Sequence, residues 1–161
     1  DAIGTSILAA SPETQGDFIL CSHTLYYIPA EEWLAHLERL VSWMSPTGVT
    51  VVVLQNRGTS CMTMLEHFFG HRFDLGGLAD AFRARHGDRY DVITTLDLAH
   101  VETPDPAAAY TVAEFMLNLL PISQPPARRD VEAYIAKHFV TAAGTHRLSV
   151  HQDFLQIQAR R

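Results

Sequence analysis

Apolar positions fall along the chain in runs whose period changes from segment to segment, and each change marks an element. Residues 17–22, Asp-Phe-Ile-Leu-Cys-Ser, form a short apolar run after the turn-like stretch Ser11-Pro-Glu-Thr-Gln-Gly16. Such a run reads as a strand in the middle of a parallel sheet, buried on both faces. After Pro29 the spacing becomes helical. Trp33, Leu37, Leu40, Val41 and Met44 share a stripe behind Glu31 and Glu32, acids placed where a helix dipole favours them, and Pro46 and Gly48 are expected to stop the helix. Residues 49–54 are β-branched and almost wholly apolar, a second buried strand, so the three elements form a strand–helix–strand crossover with two parallel central strands.

Residues 59–70 and 75–86 are both expected to be helices covering a sheet face, the second amphipathic through Leu75, Leu78, Ala79 and Phe82. Over residues 90–101 the period drops to two, with Val92, Thr94, Leu96 and Leu98 on one side, as in a less buried strand toward a sheet edge. Residues 112–120 and 131–139 read as helices separated by Pro121, Pro125 and Pro126. Residues 146–159 are strand-like, but Leu148 and Val150 are out of phase with Leu155 and Ile157, which places a bulge near residues 151–153. The order predicts one α/β domain over residues 1–161, with 1–16 as an irregular lead-in. A doubly wound sheet needs further strands on the N-terminal side of the residue 17–22 strand, so the chain is expected to be the C-terminal part of a larger sheet.

Composition narrows the setting. At 47% apolar and 19% charged residues the chain can build a core, and nothing in it reads as disordered. Twelve basic against eighteen acidic residues give a formal charge of −6, with the arginines scattered, which argues against a nucleic-acid partner. No apolar run approaches the ~20 residues that cross a bilayer, so no membrane partner is expected. Cys21 and Cys61 lie far apart inside apolar segments without CxxC spacing, which fits a reduced, cytoplasmic setting.

The segment Asp17-Phe-Ile-Leu-Cys-Ser-His-Thr-Leu-Tyr-Tyr-Ile28, followed by a helix and a valine-rich strand, resembles the fourth strand, following helix and fifth strand of the class I S-adenosylmethionine-dependent methyltransferases. Leu25-Tyr26-Tyr27 narrows the likeness to the histamine N-methyltransferase type. It continues as short spaced motifs through Gly58-Thr-Ser60, Gly70-His-Arg-Phe73, residues 90–97 and Glu114-Phe-Met116, and covers roughly residues 17–159. The resemblance implies a Rossmann-like sheet with helices on both faces, whose last two strands, those beginning at Tyr90 and His146, form an antiparallel hairpin. The cofactor, S-adenosylmethionine, would lie across the carboxyl ends of the central strands. By position, the resemblance places Cys21, Ser22 and His23 beside the cofactor, and Tyr26, Tyr27 and Phe115 in the wall of an amine pocket. Two departures stand out: no G-x-G segment or ribose-binding acid precedes Asp17, and no Asn occurs at residues 149–151, where the family places an amide against the amine. Histamine is therefore a poor fit as substrate.

Methyl transfer from a sulfonium is a direct displacement, which needs alignment and exclusion of water more than acid–base machinery. Aromatic faces tolerate both the sulfonium and a cationic amine, a role open to Tyr26, Tyr27 and Phe115. His23 is the candidate catalytic base that would neutralise an amine nucleophile of a small-molecule acceptor. Plainer readings stand beside these. Tyr26 and Tyr27 also suit strand-end packing on the following helix, and Cys21 suits a small core position. Ser22-His23 does not make a hydrolase pair, because neighbours on a strand point to opposite faces and no G-x-S-x-G elbow occurs. His67 and His71, four apart beside Glu66, have metal-ligand spacing but no third ligand in view, so no metal is expected. The rival from another class is a non-catalytic interaction module, which predicts an exposed apolar edge beside the residue 17–22 strand.

Overall fold

A computed structural model describes residues 4–120 and 124–160, and the expected helix breaker Pro121 lies outside them. The protein is α/β, with a mixed sheet and helices, and the chain passes back and forth between two compact units. The first comprises residues 1–54, 74–96 and 153–161, and the second residues 55–73 and 97–152.

The first unit holds a four-stranded sheet in the order β1 (Gly16–Ser22), β2 (Met44–Gln55), β6 (Gln152–Ala159), β3 (Tyr90–Asp97). β1 and β2 are parallel, with Cys21 opposite Val52 and Leu20 opposite Val51. β6 runs against β2 and β3. Asn56, just past β2, donates its N–H to the carbonyl of His151, just before β6, and at the other end Arg160 N–H donates to Arg89 O. The last strand thus inserts between β2 and β3, and it forms an antiparallel pair with the strand that begins at Tyr90.

Helices α1 (Trp33–Ser42) and α3 (Leu75–His86) pack on each other and bury Leu37, Leu40, Val41, Leu78, Ala79 and Phe82. Cys21, Thr50, Val52, Leu155 and Ile157 are the buried side of the sheet. α3 begins where Asp74 caps it, its carboxylate accepting from Gly77 N–H at 3.0 Å.

Three expectations change. β1 is an edge strand of this sheet, not a central one, and Phe18 and Leu20 on its outward side are 60% and 54% exposed. Pro46 and Gly48 do not separate helix from strand, because β2 already begins at Met44. They lie where the register slips, Gly16 facing Met44 while Phe18 faces Val49. A proline cannot donate to a ladder and a strand glycine marks close approach, so a bulge accommodates both. A Cβ on Gly48 would stand 2.9 Å from the carbonyl oxygen of Gly16. Third, the two long strands expected late in the chain both break, β3 ending at Asp97 and β5 (His146–Ser149) stopping before β6 begins.

The pieces split off form β4 (His100–Thr103) paired antiparallel with β5, a two-stranded sheet in the second unit. Packed with it are α2 (Ser60–Phe69), α4 (Pro106–Leu117) and α5 (Arg128–His138). α2 has Thr59 as N-cap and ends on left-handed Gly70 at φ 68°. α4 starts six residues earlier than expected, because Asp105 accepts from Ala108 N–H at 2.9 Å and Pro106 occupies the first turn. The unit's core is Cys61, Met64, Leu65, Ala109, Ala113, Ile135 and Leu148.

Candidate functional site

The carboxyl end of β1 is shaped by one backbone reversal. His23 N–H extends the parallel ladder by donating to Val53 O at 3.0 Å, and the chain then turns through His23 itself at φ 54°. Among the described residues His23 is the one non-glycine with positive φ. A left-handed side-chain-bearing residue costs on the order of 1–3 kcal/mol and persists where surroundings hold it, commonly at sites of function. Here the hold is a 3-10 turn, Leu25–Tyr27, with Leu25 and Tyr26 buried, and Trp33 at the start of α1 donating its indole N–H to Ile28 O at 2.9 Å.

Two of the residues singled out in the sequence meet at this turn. The His23 and Tyr26 rings stack at 5.8 Å, and His23 Nδ1 lies 3.4 Å from the Tyr26 hydroxyl oxygen. His23 is exposed, yet enough of the ring is shielded for desolvation to lower its pKa, which favours neutral imidazole. Ser22 is also exposed, its carbonyl accepting from Thr24 Oγ1 at 3.2 Å. Cys21 is buried in the core, where burial raises the thiol pKa against a smaller lowering by a hydrogen bond with Thr24, so a ligand at the strand end would meet its backbone and not its sulfur. Tyr27 is 63% exposed. Phe115 belongs to the second unit, on α4, and is exposed as well.

In the second unit, a concavity of about 340 Å³ is lined by Ser60, His100, His138, Arg147, Ser149 and His151, among others. None of these carried a prediction as a site residue. The usable signal was the run of histidines from His100 to His151, but their partners are set by contacts across tens of residues. Ser60 and Ser149 illustrate this, being 89 residues apart. Each hydroxyl accepts the other's backbone N–H at 2.9 Å, and the two oxygens lie 3.1 Å apart. This fastens the first turn of α2 to the end of β5.

His67 and His71 are taken up by aromatic rings, His67 against Tyr134 at 4.8 Å and His71 stacked on Phe73 at 6.3 Å. Among the described residues no group of three or more His, Cys, Asp or Glu is placed to hold a metal, and no helix is long and apolar enough to cross a membrane. No family model matches the chain, and no curated protein matches it.

Proposed function

We propose that the chain provides the acceptor-facing part of an S-adenosylmethionine-dependent methyltransferase of the class I type, methylating an amine nitrogen of a small molecule. The observation that carries the reading is His23, held left-handed at the carboxyl end of a parallel strand with its ring against Tyr26 and its neutral form favoured. Ligands of open α/β sheets bind at this end of the strands. The antiparallel pairing of β6 with β3 adds support, since it is the hairpin the family resemblance implies.

The exposed Ser22 hydroxyl and the His23 imidazole fit one edge of the cofactor, while the sequence holds no glycine-rich loop or ribose-binding acid for the rest. S-adenosylmethionine, when bound, supplies a sulfonium methyl group as electrophile. The share of this chain is proton handling and orientation. With its proton on Nδ1, His23 donates to the Tyr26 oxygen and leaves the Nε2 lone pair to take a proton from an ammonium acceptor. Tyr27 offers an exposed ring face to a cationic amine, worth about 0.5–1 kcal/mol at such a site.

Calorimetric titration of the chain with S-adenosylhomocysteine, followed by methyl-transfer rates for wild type and His23→Ala, tests the reading. Saturable binding and loss of the acidic limb of the pH–rate profile in the variant are expected. An unchanged profile removes His23 from the chemistry, and no binding removes the methyltransferase reading for this chain. A second reading, a non-catalytic interaction module, draws on the exposed Phe18 and Leu20 of β1, the apolar edge it requires. It predicts the outcome without binding.

A further inference from the structure

The residues that line the concavity of the second unit carry hydrogen-bond donors left over among the described residues. Arginine and backbone amides only donate, so their contacts fix the imidazole tautomers. Ala99 N–H donates to His151 Nδ1 at 3.0 Å, and Arg147 Nη2 donates to His100 Nδ1 at 3.2 Å. Both rings therefore carry a proton on Nε2, and among the described residues neither Nε2 has a hydrogen-bond partner.

The serine pair yields another donor. Each oxygen already accepts a backbone N–H, and one hydroxyl hydrogen lies between them, which leaves the second free to point elsewhere. Arg147 adds a full positive charge. Among the described residues no carboxylate lies within ion-pair distance of its guanidinium, and no acid lines the concavity. Glu102 faces Arg147 across the β4–β5 ladder, but its carboxylate accepts from Thr145 Oγ1 at 2.9 Å and is not part of the lining. Ser60 opens α2, so the positive end of that helix is at the same place.

A hollow lined by an arginine with no ion pair among the described residues, two histidines with spare Nε2–H donors and a serine pair with a spare hydroxyl hydrogen, and by no acid, matches a ligand that only accepts and carries negative charge. We propose that it binds an oxyanion, the phosphoryl or carboxylate group of a small molecule. Anion binding here does not depend on methyl transfer.

The test uses the full chain, with inorganic phosphate and then malonate added at constant ionic strength, chloride serving as the control. The histidine ring resonances of His100 and His151 are expected to shift saturably. The anion that binds more tightly names the group, phosphoryl or carboxylate. Arg147→Gln should weaken binding about tenfold or more. Glu102→Gln, at an exposed position, should tighten it by removing a negative charge opposite Arg147, and this serves if Arg147→Gln does not fold. A response linear up to tens of millimolar, one matched by chloride, or one that both variants leave unchanged overturns the proposal.

Discussion

Replacing Ser149 by Ala should loosen the hold of α2 on β5 by an amount the hydrogen-bond geometry sets. The variant loses the 2.9 Å acceptor of Ser60 N–H and the 3.1 Å contact between the two hydroxyls. Ser60→Ala loses the 2.9 Å acceptor of Ser149 N–H and the same shared contact. Three hydrogen bonds are at stake, each worth about 1 kcal/mol net in a partly buried place. Each single variant removes two of them, so each should cost about 2 kcal/mol, while the double variant removes three and should cost about 3. The shortfall from additivity, about 1 kcal/mol, is the energy of the shared contact, which a double-mutant cycle isolates. Urea unfolding of the four proteins, followed by circular dichroism, measures it, with equal m-values as the check that only stability has changed. Strict additivity would refute the reasoning, since the hydroxyls would then not be coupled. Single-variant costs below about 0.5 kcal/mol would refute it too, by showing that water replaces the lost partners.

Two further predictions rest on titration. Cys61 is fully buried and its pKa is pushed up to about 12 by desolvation, so a thiol reagent at neutral pH should leave it unmodified in the native chain and label it once urea unfolds the protein; rapid native labelling would contradict the packing. His23 has a folded-state pKa below its unfolded value, so the unfolded chain takes up the proton first. Above the unfolded value, near ~6.5, the group is neutral in both states, and as pH falls through that range the wild type should lose stability relative to His23→Gln. Parallel pH–stability curves for the two proteins would show that the ring is not desolvated.

The elements with a strong local signal were legible, and for physical reasons that can be named. Leu75–His86 forms the helix its spacing predicts, since Leu75, Leu78, Ala79 and Phe82 are all buried and Asp74 closes its first turn. β1 and the apolar half of β2 emerged because short unbroken apolar runs between turn residues leave few alternatives to a strand, although in β1 only Cys21 is buried. What misled was punctuation. Pro46 and Gly48 look like a helix stop, but the helix stops earlier, at Ser42, and the bulge opposite Gly16 and Phe18 absorbs both residues within a strand. The start of α4 was signalled by Asp105-Pro106, an N-cap followed by a first-turn proline, although the alanines after it carry too little hydrophobic contrast to show a period.

The phase slip between Leu148 and Leu155 was a true signal with a larger meaning than a bulge. Both late strands break, β3 from β4 at residues 98–99 and β5 from β6 at residues 150–151, so one apparent hairpin serves two sheets in two units. Hydrogen bonds bridge the two breaks, Val150 N–H donating to Ala99 O at 2.9 Å and Ala99 N–H to the His151 ring. This also explains why the donor-lined concavity could not be read in advance. His151 has its ring fixed by a break residue, Ser149 ends one of the broken strands, and Ser60 arrives from a helix 89 residues away. Each side chain alone is an ordinary polar residue near a loop. Only the backbone that brings the breaks together turns three weak donors and one arginine into a place where negative charge is favoured, and that backbone follows from strand pairing, which no local period encodes.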